Sequence, residues 1–126
     1  MMPGMAIDPG ALLARSYPLP GGPRVRLRLA HHADAPAMRE LLAERGQAGS
    51  EVELARLVRA NPRERVVLCA TAPLNGTETL VGFGALDLRG QVDTLVIDER
   101  LAGDGLGTLL LEALAARARA VLARVA

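Results

Sequence analysis

From Arg24 the chain alternates polar and apolar residues without a break, Arg24-Val25-Arg26-Leu27-Arg28-Leu29, and this period of two predicts a strand with one wet face. His31 and His32 follow, and Asp34 then reads as the N-cap of a helix with Pro36 in its first turn. Met38, Leu41 and Leu42 give that helix its apolar stripe, and Gly46 ends it. A second helix begins at Ser50, where Ser50 and Glu53 have capping-box spacing, carries Leu54, Leu57 and Val58 on one face, and stops at Asn61-Pro62. A meander follows: a strand over 64–72, a turn at Leu74-Asn75-Gly76-Thr77, a strand over 78–88, a tight turn at Arg89-Gly90 and a third strand over 91–97. Past Asp98 lies a glycine-rich turn, then an Ala/Leu/Arg helix from about Leu106 with Leu106, Leu110 and Leu114 as its core stripe. At residues 121–126 Ala and Leu favour continued helix over a further strand. Ahead of all this, residues 1–23 hold Pro3, Pro9, Pro18, Pro20 and Pro23 among several glycines and read as an arm. The expectation is an α/β (α+β) domain over 24–126, with element order β-α-α-β-β-β-α.

Composition narrows the function. The 126 residues are 50% hydrophobic and 23% charged, which suits one globular domain. A net charge of +1 gives no electrostatic case for nucleic acid or an anionic membrane, so neither is expected as a partner. Tyr17 and Phe83 are the only residues of the Phe/Trp/Tyr class, too few for base stacking. Every basic residue apart from His is Arg, so a lysine nucleophile or Schiff base is excluded. The single Cys69 lies in the apolar run Val66-Val67-Leu68-Cys69-Ala70, where a buried, inert thiol is expected. The N-terminal residues have neither a basic start nor a sustained apolar stretch, and a cytoplasmic location is the expectation. Two His and one Cys without clustered spacing predict no metal site.

The chemistry concentrates in Leu95-Val96-Ile97-Asp98-Glu99-Arg100-Leu101-Ala102-Gly103-Asp104-Gly105-Leu106-Gly107-Thr108. An apolar strand runs into a turn with glycines at 103, 105 and 107, and the turn opens a helix. A helix start leaves backbone N–H groups without partners and carries partial positive charge. Glycines remove the Cβ atoms that would hold a phosphate away, and they allow positive φ. The pattern therefore predicts an anion site, against the plainer reading of a flexible strand-to-helix turn. A dinucleotide-binding fingerprint fails on spacing, because position 108 is Thr, and a Gly-Lys-Ser/Thr phosphate loop fails for want of lysine.

These residues resemble the cofactor motif of the GNAT family of N-acetyltransferases, Gln/Arg-x-x-Gly-x-Gly/Ala, which follows a strand as residues 102–107 follow Ile97-Asp98-Glu99. Residues 26–29 with Asp34 resemble that family's first strand and helix start, and Leu80-Val81-Gly82-Phe83-Gly84-Ala85-Leu86 resembles its third strand. The resemblance implies a mixed, mostly antiparallel sheet with helices on both faces, and acetyl-CoA, or another acyl-CoA, as cosubstrate. It implies that Leu95, Val96 and Ile97 line the pantetheine arm, and that Gly103, Asp104, Gly105, Leu106, Gly107 and Thr108 supply the pyrophosphate turn. The reaction it implies is direct attack by an amine on the thioester. The sequence departs from the family pattern in three ways. Ala102 stands where Arg or Gln is usual, and Asp104 puts a carboxylate where Arg or Lys is common. The sequence also stops before the family's fifth strand, fourth helix and closing hairpin strand, where the tyrosine that protonates the thiolate normally lies. The resemblance thus implies a C-terminally short domain and leaves three alternatives: a truncated chain, a sheet completed by a partner such as a second copy in a homodimer, or weak or absent catalysis.

Among acids and bases, Asp93 is the one acidic residue inside the strand beside the proposed cofactor, which makes it the candidate general base, with a solvated strand face as the plainer reading. Asp98 and Glu99 stand at the mouth of the turn and are candidates for recognising a cationic amine, or are loop charges. His31 and His32 have the pKa class for proton transfer, with a capping role as the alternative. Arg117, Arg119 and Arg124 read as the wet face of the last helix. Two further readings stand beside the enzyme: a non-catalytic acyl-CoA sensor, and an interaction module that recruits a second chain along a sheet edge.

Overall fold

The computed structural model describes residues 16–19, 22–60, 64–101, 103 and 105–125. The alternating segment forms strand β2 (Arg24–Leu29), with Val25 and Leu27 in the core and the three arginines outside. Ahead of it lies a strand the sequence did not announce. β1 (Ser16–Pro18) pairs antiparallel with β2 in the register Ser16↔Arg26, Tyr17↔Val25, Pro18↔Arg24, and Arg24 Nε donates to Ser16 Oγ at 3.1 Å. Part of the expected arm therefore joins the sheet, and Leu19 is buried against the core. The proline content hid this, yet proline is tolerated on an edge strand, where no ladder donor is required of it. The rest of the expected arm, residues 1–15, 20 and 21, lies outside the described residues.

Helix α1 (Ala35–Glu44) is entered through a 3-10 turn, His32–Asp34, and Asp34 stands at its N-cap position as expected, but with its side chain used elsewhere. The carboxylate of Asp34 makes no side-chain cap bond to α1. It reaches back to the N–H of His31 at 2.7 Å, while His31 Nδ1 accepts from the N–H of Ala33 at 3.1 Å. His31 is thus a capping residue. Helix α2 (Glu51–Val58) has the expected cap, Ser50 Oγ accepting from the N–H of Glu53 at 3.1 Å. Strand β3 (Arg65–Leu74) turns through Asn75 and Gly76, with φ of 52° and 79°, into β4 (Thr77–Asp87). Positive φ at both central residues is what a two-residue hairpin turn with the right twist requires. A turn through Gly90 leads to β5 (Val92–Ile97), and helix α3 (Leu106–Val125) closes the described order, helical as far as Val125 in the segment that had two readings.

The five strands form one sheet in sequential order, every pairing antiparallel. α3 packs on one face through Leu106, Leu110 and Leu114, against Val25, Leu27, Leu68 and Val81. α1 and α2 cover the other face through Met38, Leu41 and Leu54, against Cys69, Phe83 and Val96. Each such side chain contributes about 1.5–3 kcal/mol on burial. Two glycines of β4 let α3 approach closely. A Cβ on Gly82 would lie 3.2 Å from both Leu110 Cδ1 and the carbonyl oxygen of Val96, and one on Gly84 would lie 2.9 Å from Leu114 Cδ1. The family-like glycines of this strand are therefore packing residues that seat the helix whose first turn forms part of the candidate site.

Candidate functional site

β5 ends at Ile97, and the next residue anchors the bend. The N–H of Asp98 donates to the carbonyl of Val81 at 2.8 Å, and its own carbonyl accepts from Leu101 N–H at 2.9 Å, closing a 3-10 turn at Glu99–Leu101. The Asp98 carboxylate is buried and occupied: it accepts from the N–H of Arg100 at 2.9 Å, from Arg100 Nε at 3.0 Å and from Nη2 at 2.7 Å. The Arg100 guanidinium holds the Asp98 carboxyl below its ordinary range, against the opposing effect of burial. Asp98 is accordingly a structural hinge pin. The expectation that it would recognise an amine does not survive, whereas Glu99 beside it is exposed.

The chain then passes Gly103 and Gly105, at φ of 91° and 90°. An added Cβ at either would meet nothing within 4 Å, so what these positions need from glycine is the backbone conformation, and the space in front of them is open. Ala102 and Asp104, including the carboxylate expected near the phosphates, lie outside the described residues. Among the described residues, the first bond of α3 runs from Leu109 N–H to Gly105 O at 3.0 Å. The amides of Leu106, Gly107 and Thr108 thus precede the helix's own ladder, at its positive end. The Leu106 side chain is fully buried in the core, Gly107 is half-buried and Thr108 is exposed.

Five of the expected residues, Leu95, Val96, Ile97, Gly103 and Gly107, line one cleft of about 290 Å³. Two more arrive from a place the sequence reading did not consider, Arg45 and Gln47 at the end of α1. They are held by a helix stop in which Gly46, at φ 72°, donates to Ala43 O at 3.0 Å and Gln47 N–H donates to Leu42 O at 2.8 Å. This bond pattern is the Schellman motif, which fixes the residues on either side of its glycine. Gly46 signalled the stop in the sequence, but nothing local could show that the stop faces β5. The outer edge of β5 has no strand partner among the described residues, so its backbone groups border the cleft.

Asp93 stands elsewhere. It is four residues before Ile97, about 13 Å along the strand from the end of β5. The register Ala85↔Thr94, Leu86↔Val92 leaves it as the extra residue of a bulge, and Arg65 Nε donates to its carboxylate. It is not among the residues lining the cleft. Of the remaining arginines of interest, Arg119 and Arg124 are exposed and Arg117 is half-buried on α3.

The residues present fit an acyl-CoA: open space at two positive-φ glycines, a helix start beside them, a strand edge for the arm and one arginine, Arg45, in the lining. Known proteins agree in fold. The chain matches the family described as Acetyltransferase (GNAT) over residues 35–125. It is similar to the ribosomal-protein-alanine N-acetyltransferase from Brucella melitensis, with 27% identity and a TM-score of 0.57 over 78% of this chain and 74% of that one. The GNAT domain of S. lividans PAT superposes at TM-score 0.65 with 20% identity, over 85% and 72% of the two chains. Salmonella typhimurium yncA, solved with its cofactor acetyl-CoA, gives TM-score 0.58 and 21% identity over 77% and 64%. No curated protein matches the chain. With a family match that runs from the first residue of α1 to the last of α3, the chain belongs to the GNAT acetyltransferase family.

Proposed function

We propose that this protein binds an acyl-CoA, acetyl-CoA in the simplest case, and transfers its acyl group to an amine. The observation that carries the reading is the cleft in which the outer edge of β5 meets the positive-φ turn and the start of α3. In this assignment the backbone of Leu95, Val96 and Ile97 pairs with the amide-bearing arm. Gly103 and Gly105 belong to the turn around the diphosphate, and the amides of Leu106, Gly107 and Thr108 donate to it. The neutral amine nitrogen attacks the thioester carbonyl carbon, a C–N bond forms, and the C–S bond breaks with its electron pair leaving on sulfur. The amine's proton is lost to a base, and a proton returns to the thiolate. A second copy of the chain along β5 belongs to the same proposal as a completing partner, and light scattering would detect it as a dimer.

One observation favours a second reading, a non-catalytic acyl-CoA-binding protein. Asp93, the base expected from the sequence, is bonded to Arg65 and is not among the described residues that line the cleft, which include no carboxylate. Calorimetric titration with acetyl-CoA tests what the two readings share, and absence of heat at millimolar cofactor removes both. Thiol release over a panel of small amines, peptide N-termini and protein lysines then separates them. Turnover that survives Asp93→Ala would exclude Asp93 as the base.

A further inference from the structure

Arg45 is the one charged side chain among the described residues that line the cleft. Around it are three apolar side chains, Leu95, Val96 and Ile97, two glycines and Gln47. It makes no salt bridge among the described residues, although two acidic residues stand close to it in the chain or in space. Glu44 precedes it, and Asp98 is bonded to Arg100. A guanidinium that bonds directly to no carboxylate among the described residues, beside a concave apolar surface, keeps its donors for an anion from outside. Its position along the cleft is also defined. Arg45 lines the cleft together with Gly103 and Gly107 of the glycine turn, whereas Asp93 is not among the lining residues, so Arg45 belongs to the glycine-turn end of the strand. The Schellman stop around Gly46 fixes its backbone, so little ordering of the main chain is lost on binding.

We infer that Arg45 reads the phosphate end of the cosubstrate, as the side-chain cation facing the diphosphate across the cleft from the glycine turn. The inference rests on the acyl-CoA reading above, and it locates the charge recognition of that site on α1 instead of in the glycine turn, where the sequence has Ala102 and Asp104. Gln47, on the same stop, adds an uncharged donor to the same wall.

The test is calorimetry of the full chain with acetyl-CoA at low and high salt, comparing wild type with Arg45→Lys and Arg45→Gln. One exposed charge-assisted contact predicts that Arg45→Gln weakens binding about tenfold at low salt. Arg45→Lys keeps the charge without the planar fork and should fall within about threefold of wild type. Because the contact is solvent-accessible, the gap between wild type and Arg45→Gln should close in 0.5–1 M salt, at a screening length of roughly 3–4 Å. Equal affinities for wild type and Arg45→Gln overturn the inference while leaving the cofactor reading intact. So does a deficit independent of salt, which would mark a packing role. A wild-type chain that binds no acetyl-CoA overturns the cofactor reading and the inference with it.

Discussion

The Asp34 carboxylate gathers donors from three directions: both Nη atoms of Arg28 at 2.7 Å, the N–H of His31 at 2.7 Å and the thiol of Cys69 at 3.8 Å. The bonds from Arg28 hold its carboxyl below the ordinary value of 3.8, as Arg100 does for Asp98. A depressed folded-state pKa means stability that is present above the unfolded value and is lost as pH falls through the folded one. Thermal melts should therefore show stability declining as pH drops from about 5 to 3. Asp34→Asn should flatten that decline and remove about 1 kcal/mol at neutral pH, the figure discounted for the exposure of Arg28. Cys69, fully buried, has its thiol pushed up to about 12 by burial, with the neighbouring Asp34 charge adding to it. Alkylation in the native state should proceed only at the rate of unfolding, and prompt labelling at neutral pH would contradict this environment. That the thiol is buried was legible in its apolar run. That Asp34 would serve a turn and an arginine instead of capping α1 was not, because the choice depends on Arg28 arriving from another element.

Between elements, the decisive contact is α3 on β4. At Gly84 an added Cβ would also stand 3.2 Å from Leu95 Cδ1, a side chain of the cleft. Gly84→Val should cost about 1–3 kcal/mol through overpacking. It should also weaken acetyl-CoA binding, since the displaced parts are a cleft residue and the helix that begins at the glycine turn. Loss of stability with unchanged affinity would uncouple the two. Periodicity made most elements legible, because β2, α1, α2 and the hairpin each carry their signal in adjacent residues. β1 is too short for a period and is rich in proline. Its pairing depends on what Arg24–Leu29 offers across the gap, which no local pattern encodes. The same holds for the site: the glycine turn and β5 were readable as contiguous sequence, whereas Arg45 is brought in by the path of α1 across the sheet.

At the scale of the molecule, two apolar layers sandwich one sheet, and no helix among the described residues is long and apolar enough to cross a membrane. Ligand that binds only the folded chain must raise its stability, by about 2.7 kcal/mol at a hundredfold excess over Kd. Acetyl-CoA should therefore raise the melting temperature by several degrees, and free pantothenate, which lacks the phosphates, should not. The bulge at Asp93 has a consequence beyond the site. β5 reads Val-Asp-Thr-Leu-Val-Ile, a segment with the composition of a fibril-forming stretch, and its outer side has no strand partner among the described residues. A single acid, bonded to Arg65, sits at the bulge of the β4–β5 pairing beside Val92, which is half exposed to water. Asp93 would then serve as a gatekeeper against runaway association, and Asp93→Val should turn a clear solution cloudy on storage.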